Sequence, residues 1–178
     1  GGDSRVLRDA IDKARDSGIL VVAAAGNDTH DIDKGEMAIY PAAYNAANVI
    51  SVMASTCDQK VATFSNCGEK RVHLAAPGDG PRGILSTVLN NHYAYWRGTS
   101  MSAAFVAGAA ALVKSQHKNW KAVEVKQRLL SSVTKLPGLR ALCVSEGRLN
   151  LEAALTEPRS LGHRFWRRFR HLLGSGRE

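Results

Sequence analysis

The spacing of apolar residues predicts a helix followed by two strands in the first half of the chain. Between Asp3 and Gly18, apolar residues recur every three to four positions, which predicts a helix capped by Asp3 or Ser4 and stopped by Gly18. An uninterrupted apolar run at 19–25 is typical of a parallel strand covered on both faces, and the mostly apolar run at 48–54 predicts a second such strand. This order predicts an α/β fold with a parallel sheet.

The second half of the chain mixes shorter patterns. The runs 61–66, 71–76 and 83–88 are each short enough to be strands, and glycine or proline separates them. Segment 120–133 has an amphipathic repeat that predicts a helix, and Asn150 is placed to cap a last short helix over 151–155.

Between these regions lies segment 98–113, which contains no charged residue. A segment that is small and apolar all round predicts a helix buried on all sides, and this one is too short and too rich in Gly and Ala to predict a membrane span. Ser100 stands at its N-terminus, where unpaired N–H groups and the helix dipole stabilise negative charge. A nucleophilic serine suits this position, although Thr99 or Ser100 can equally serve as a simple helix cap.

Five ordered motifs, at matching spacings, resemble the C-terminal half of the subtilisin-like serine proteases (subtilases). They are Val21-Val22-Ala23-Ala24-Ala25-Gly26-Asn27, Tyr40-Pro41-Ala42, Phe64-Ser65-Asn66, Leu74-Ala75-Ala76-Pro77-Gly78 and Gly98-Thr99-Ser100-Met101. The resemblance runs from Gly1 to about residue 155. It implies a three-layer α/β fold with a mostly parallel sheet, truncated at its N-terminus, in which residues 1–156 form the C-terminal part of a catalytic domain.

The resemblance also assigns the chemistry. It implies that Ser100 is the nucleophile and that its backbone N–H and the Asn27 side-chain amide form the oxyanion hole. Without that context, Gly26-Asn27 would indicate a plain turn. The orienting Asp and the basic His of subtilases belong to Asp-Ser/Thr-Gly and His-Gly-Thr motifs expected before Gly1, so we expect the chain alone to be inactive. None of its six histidines has that context, and only His92 lies a few residues before the nucleophile motif.

Substrate contacts follow from the same resemblance. The residues implied to line the substrate cleft are Gly1, Gly2, Ala24, Ala25, Gly26, Asp28, Ile39 and Thr99. A bulky Ile39 would make the P1 pocket shallow, and Asp28 at its rim would attract a basic residue, which predicts a modest, non-aromatic P1 preference.

The chain departs from the family pattern just after the nucleophile. Ser102, Ala104 and Phe105 stand where family members usually have Ala, Pro and His. Proline near a helix start is favourable but dispensable. The departures keep open a non-catalytic, subtilase-like protein that binds a peptide or a partner.

Metal and cysteine chemistry are weakly indicated. No metal or cofactor is expected to be required, although the family often binds structural calcium through loop carbonyls near Tyr40-Pro41-Ala42. The cysteines have neither zinc-site nor redox-motif spacing. Cys57 and Cys67 flank a predicted hairpin and are open to two interpretations, a disulfide or two separate buried thiols, with Cys143 left over.

Charge separates a C-terminal tail, 157–178, from the rest. The formal net charge is +8, of which residues 159–178, with six Arg and one Glu, carry +5. The body is therefore not expected to bind nucleic acid. The tail places Leu161, Phe165, Phe169 and Leu172 on one helical face. This suits an anionic membrane surface, or else a helix that docks on the parent protein or frays in solution. Expected partners are a protein or peptide substrate and the upstream part of the same domain, and the resemblance implies a secreted or extracytoplasmic location.

Overall fold

The computed structural model describes residues 2–156, so the predictions for Gly1 and for the tail 157–178 lie outside the described residues. In chain order the elements are α1 (Arg5–Asp16), β1 (Val21–Ala24), β2 (Val49–Ser55), β3 (Leu74–Pro77), β4 (Ile84–Val88), β5 (His92–Trp96), α2 (Thr99–Gln116), α3 (Ala122–Ser131), β6 (Thr134–Lys135), β7 (Gly147–Arg148) and α4 (Leu151–Leu155). Two short 3-10 helices, Gly35–Met37 and Pro137–Leu139, lie in the connections.

The main sheet has the strand order β1-β2-β3-β7-β6. The first three pairings are parallel, with Val22 opposite Ile50 and Val52 opposite Leu74, and only β6 runs antiparallel to its neighbour. Strands β4 and β5 form a separate antiparallel hairpin. The predicted α/β class with a mostly parallel sheet is confirmed.

Two apolar cores lie on opposite faces of this sheet. Strand β2 is buried along its whole length, and its side chains alternate between the cores because successive residues of a strand point to opposite faces. Val49 and Met53 pack with Ile11 of α1, whereas Ile50 and Val52 pack with apolar residues of α2, α3 and α4. Helices on both faces give the three layers that the family resemblance implied.

The predicted helix caps form as expected. The Ser4 hydroxyl accepts a hydrogen bond from the Leu7 N–H at 3.4 Å at the start of α1, and the Asn150 side chain accepts from the Ala153 N–H at 2.8 Å at the start of α4. Gly18 adopts φ +73° just after α1, a conformation that glycine reaches without strain. Sequence signals at helix ends were therefore reliable.

The strand predicted over 61–66 is wrong. Two polar side chains there take up backbone groups that a strand would have paired: Ser65 Oγ accepts from the Ala54 N–H at 2.9 Å, and Asn66 bonds the loop that follows β1. The segment is an irregular connection with an isolated bridge at each end, Ser55 with Val61 and Asp31 with Cys67. Local side-chain bonding competes with strand pairing in this way.

The hairpin expected between Cys57 and Cys67 is therefore absent, and all three cysteines are free. Cys57 is exposed, Cys67 is half-buried and Cys143 is buried, so neither the disulfide nor a pair of buried thiols describes Cys57 and Cys67. Burial raises the pKa of the Cys143 thiol.

Strands β5, β6 and β7 were not predicted. β6 and β7 have two residues each, too few for any repeat to show, and the side chains of β5 are mostly exposed. Within residues 2–156, β1 forms an edge of the sheet, and no helix there has both the length and the apolar character needed to cross a membrane.

Candidate active site

Ser100 is the second residue of α2, and its side chain is exposed at the mouth of this mostly apolar helix. Gly98 precedes the helix with φ +150°, and the Met101 N–H bonds back to the Gly98 carbonyl at 3.1 Å. Because the first N–H groups of a helix lack intrahelical partners, the Ser100 N–H remains available, and the helix dipole adds positive potential there. Ser100 Oγ makes no hydrogen bond with any residue of 2–156.

Asn27 lies directly beside this helix start. Its Oδ1 accepts from the Thr99 backbone N–H at 2.9 Å and from Thr99 Oγ1 at 3.0 Å. A backbone N–H can only donate, so the oxygen of the amide must face Thr99 and the Nδ2 group must point away. Asn27 is exposed, and within the described chain its Nδ2 group has no acceptor. The structure thus brings the two predicted residues, Ser100 and Asn27, to the same edge of the sheet.

Thr99 fixes this arrangement from inside. Its side chain is fully buried, and its Oγ1 accepts from the Gly26 N–H at 3.1 Å while it donates to Asn27. One hydroxyl therefore ties the end of β1, the amide of Asn27 and the start of α2 together. The sequence predicted Thr99 as a substrate contact, whereas its contacts in the structure are those of a positioning residue.

Asn66 organises the loop after β1 and was not predicted to do so. It is fully buried, its Oδ1 accepts from the N–H groups of Asp28 and His30 at 2.9 and 2.8 Å, and its Nδ2 donates to the Ala25 carbonyl at 3.0 Å. A buried amide with both ends satisfied holds a loop rigidly. The only sequence signal for Asn66 was its place in the Phe64-Ser65-Asn66 motif.

Gly26 must be glycine at this point. It adopts φ +105°, and a Cβ there would lie 2.3 Å from Asn66 Nδ2 and 2.6 Å from Ile39 Cδ1. The same contact brings Ile39 against the end of β1, which is the neighbourhood that the sequence predicted for a P1 pocket.

The other predicted cleft residues are placed as follows. Ala25 is fully buried, Ala24 is half-buried, and Asp28 is exposed next to Asn27. Gly2 is exposed, with open space where a side chain would stand, and Gly1 lies outside the described residues.

His92 lies at the wrong end of the hairpin to act on Ser100. It pairs with Val88 at the tip, whereas Trp96 pairs with Ile84 at the base, next to the helix start. Three residues lie between His92 and Trp96, so four steps along the strand put them about 13 Å apart at the rise of an antiparallel strand. The structure therefore gives no support to His92 as the base.

Ser102, one of the departures from the family pattern, has a structural contact that the sequence did not reveal. Its buried hydroxyl donates to the Ala76 carbonyl at 3.0 Å, and the Gly98 N–H donates to the Gly78 carbonyl at 2.9 Å. Together these bonds tie the start of α2 to the end of β3. A Cβ at Gly78 would lie 2.2 Å from Ser102 Oγ, so this junction also requires glycine.

Within residues 2–156 no group of three or more His, Cys, Asp and Glu side chains is placed to hold a metal ion. Calcium bound through loop carbonyls near Tyr40-Pro41-Ala42 stays a prediction. At the predicted oxyanion position we expect N–H donors rather than a metal ion.

An exposed serine at the mouth of a buried helix, with an oriented amide beside it, has the parts that acyl transfer by serine requires at the nucleophile and oxyanion positions. Residues 1–149 match the subtilase family, and the chain belongs to that family.

Relatives and solved structures agree with this membership. The chain is similar to Subtilisin DY of Bacillus licheniformis, 39% identical over 151 residues that cover 85% of this chain and 52% of the relative. It is also similar to the major intracellular serine protease of Bacillus subtilis, 44% identical over 117 residues that cover 65% of this chain and 35% of the relative. A solved protease structure from Pseudoalteromonas arctica superposes with a TM-score of 0.74 at 32% identity, covering 87% of this chain and 47% of that one. The chain spans about a third to a half of the length of these relatives.

Proposed function

We propose that this chain supplies the nucleophile and the oxyanion hole of a serine endopeptidase. The observation that carries the proposal is the orientation of Asn27, whose oxygen is held by Thr99 so that its Nδ2 group stays free beside Ser100. In this proposal Ser100 Oγ attacks the carbonyl carbon of a peptide bond. The Ser100 N–H and Asn27 Nδ2 stabilise the resulting oxyanion.

The remaining catalytic groups come from sequence upstream of Gly1. A basic His accepts the Ser100 proton as the new C–O bond forms and passes it to the amine that leaves when the C–N bond breaks, and an Asp orients that His. The upstream part of the same catalytic domain is therefore a required partner in this proposal. Residues 1–178 alone are expected to be inactive. The edge position of β1 in the described sheet is consistent with a further neighbour.

The test is labelling of the complete gene product with a fluorophosphonate probe. We expect one labelled serine, Ser100, and loss of labelling in Ser100→Ala. Ser131→Ala, which removes an exposed hydroxyl on α3, is the matched control and should label like the parent protein. Absence of labelling in a folded complete protein would overturn the protease proposal.

A P1 preference follows from the contact of Ile39 with Gly26. We propose a shallow pocket that favours modest, non-aromatic P1 side chains, with Asp28 adding attraction for a basic one. Cleavage of a peptide set that varies only at P1 measures this, and a clear preference for Phe would refute it.

A second candidate is a subtilase-like protein that binds peptides or a partner without cleaving them. It is favoured by Phe105, which replaces the family's usual His and is 45% exposed on α2. Peptide binding without probe labelling would support this candidate. Membrane attachment by the tail is a separate proposal, which liposome flotation with and without residues 159–178 tests.

Location outside the cytoplasm is also part of the proposal, supported by similarity to Bacillus subtilisins such as Subtilisin DY. One similar protein of Bacillus subtilis is named as intracellular, which leaves a location inside the cell as the alternative. Fractionation of the source cells, with detection of the complete protein, distinguishes the two.

A further inference from the structure

A cleft opens beside Ser100, on the side of the β4–β5 hairpin. It has a volume of about 700 Å³ and is lined by Arg82, Tyr95, Trp96, Arg97, Ser100 and Met101. None of the residues predicted for the P1 pocket, Ala24 to Asp28 and Ile39, lines it. A peptide held with its scissile carbonyl at Ser100 would therefore place a different residue in this cleft.

We propose that this cleft binds an acidic side chain of the substrate close to the cleaved bond, and that Arg82 selects it. The inference rests on the proposed protease function and adds a substrate class to it. Its basis is the charge of the cleft, the state of its two arginines and the apolar surface around them.

The two arginines of the cleft differ in how their charges are used. Arg97 is already paired, with its Nε 3.0 Å from Asp79 Oδ1 and its Nη2 bonded to the Pro81 carbonyl. Arg82 has no carboxylate partner within residues 2–156, so the cleft keeps a net positive charge from its guanidinium.

Arg82 is also held in place. Its guanidinium carbon lies 5.0 Å from the centre of the Tyr95 ring, a cation–π contact that orients the planar group without neutralising it. Gly83 adopts φ +93°, and a Cβ there would lie 2.8 Å from the Trp96 carbonyl oxygen, so the backbone next to Arg82 runs tight against β5. A pre-positioned guanidinium binds a carboxylate with little further loss of side-chain freedom.

The rest of the lining suits the stem of an acidic side chain. Trp96 is 59% exposed and Met101 is half-buried, and both offer apolar surface to the methylene groups of Glu or Asp. Asp28 lies on the other side of Ser100, next to the end of β1. The negative charge of Asp28 and the positive charge of Arg82 therefore lie on opposite sides of Ser100.

The experiment compares kcat/KM of the complete gene product for peptides that are identical except for Glu, Gln or Lys at each position flanking the cleaved bond. At one of these positions, kcat/KM for Glu should exceed that for Gln about threefold to fivefold, the range expected for an exposed charge pair. The preference should shrink in 0.5 M NaCl, because salt screens exposed charges.

Variants then locate the selecting residue. Arg82→Gln should bring the Glu/Gln ratio at that position close to one, and Arg82→Glu should turn the preference towards Lys. Arg140→Gln, which removes an exposed arginine outside the cleft, should leave the ratio as in the parent protein.

Two failures are distinguishable. If the probe labels Ser100 but no flanking position prefers Glu, or the ratio is unchanged in Arg82→Gln, the acidic-substrate proposal is wrong while the protease proposal stands. If the probe does not label Ser100 and no peptide is cleaved, both proposals are overturned.

Discussion

The two ends of the parallel strands use polar side chains in opposite ways. At the carboxyl ends of β1 and β3, Asn27 exposes its side-chain amide and Ser100 exposes its hydroxyl. The buried Thr99 fixes this arrangement by donating two hydrogen bonds to Asn27 Oδ1. Towards the amino ends of β2 and β3, two titratable side chains point inward instead. His73, just before β3, accepts from the Ser51 N–H through Nδ1 at 3.0 Å, and Lys126 of α3 donates from Nζ to the Val49 carbonyl.

Burial disfavours the charged forms of His73 and Lys126. It lowers the pKa of His73 to about 3, with the positive charge of Lys126 as a second cause, and it lowers the pKa of Lys126 to about 8. A neutral histidine in a core serves stability, whereas unpaired donors at a strand end serve binding. The comparison predicts that substitutions at the two ends separate activity from stability.

The largest effect is expected for Asn27→Ala in the complete gene product. Loss of one oxyanion donor should lower kcat about 10² to 10³-fold, a size that was measured on a subtilisin and is carried over to this relative. KM should change little, whereas the unfolding midpoint should fall modestly, because the Thr99 N–H and hydroxyl lose the Asn27 oxygen as their acceptor. Asn45→Ala, at an exposed asparagine away from the site, is the control, and an unchanged kcat in Asn27→Ala would remove Asn27 from the oxyanion hole.

Gly78→Ala tests whether the junction of β3 and α2 tolerates a side chain. The added Cβ overlaps Ser102 Oγ and the Gly98 carbonyl oxygen, so we expect a loss of about 2 to 3 kcal/mol in the free energy of unfolding. Gly108→Ala, within α2, places its Cβ in open space and should instead raise the free energy of unfolding by about 0.5 to 1 kcal/mol. Denaturant unfolding measures both, and equal effects would contradict the tight junction.

His73 should make the fold sensitive to acid without affecting catalysis at neutral pH. Its folded pKa is lowered, so from pH 6.5 downward the unfolded chain binds a proton that the folded protein does not, and stability falls until about pH 3. At pH 5 the loss is about 2 kcal/mol relative to pH 7. His73→Gln should remove this loss and exposed His92→Gln should not, as read from unfolding midpoints at the two pH values. The same pH dependence in His73→Gln would refute the assignment.

Thr99→Val should give the smallest of these effects. It keeps the shape of the buried side chain but removes the hydroxyl that serves both the Gly26 N–H and Asn27, while the backbone bond to Asn27 remains. We expect kcat to fall about fivefold to tenfold, roughly 1 kcal/mol of transition-state stabilisation. Thr99→Ser should recover most of the loss, and failure of that rescue would argue against a positioning role.

Much of the fold could be predicted because its signals are local. The strand β2, the cap at Ser4, the cap at Asn150 and the apolar helix α2 each follow from residues that are neighbours in sequence. The failed strand at 61–66 has the opposite cause, since Ser65 and Asn66 bond to groups more than ten positions away along the chain.

The candidate site divides in the same way. Ser100 and Asn27 could be named from the sequence because each belongs to a short motif next to an element boundary. The roles of Asn66 and Ser102 could not, because a buried hydrogen bond depends on which backbone groups the fold brings near, and the unpaired state of Arg82 depends on where Asp79 and Tyr95 come to lie.

By itself the sequence determined the family, the α/β class and the position of the serine at the start of an apolar helix, since hydrophobic repeats and capping residues act over a few positions. The tertiary structure alone decided which way the Asn27 amide points and which arginine beside Ser100 keeps its charge free. Both depend on contacts between segments that are distant in the chain, and the direction of a hydrogen bond is set only when those segments meet.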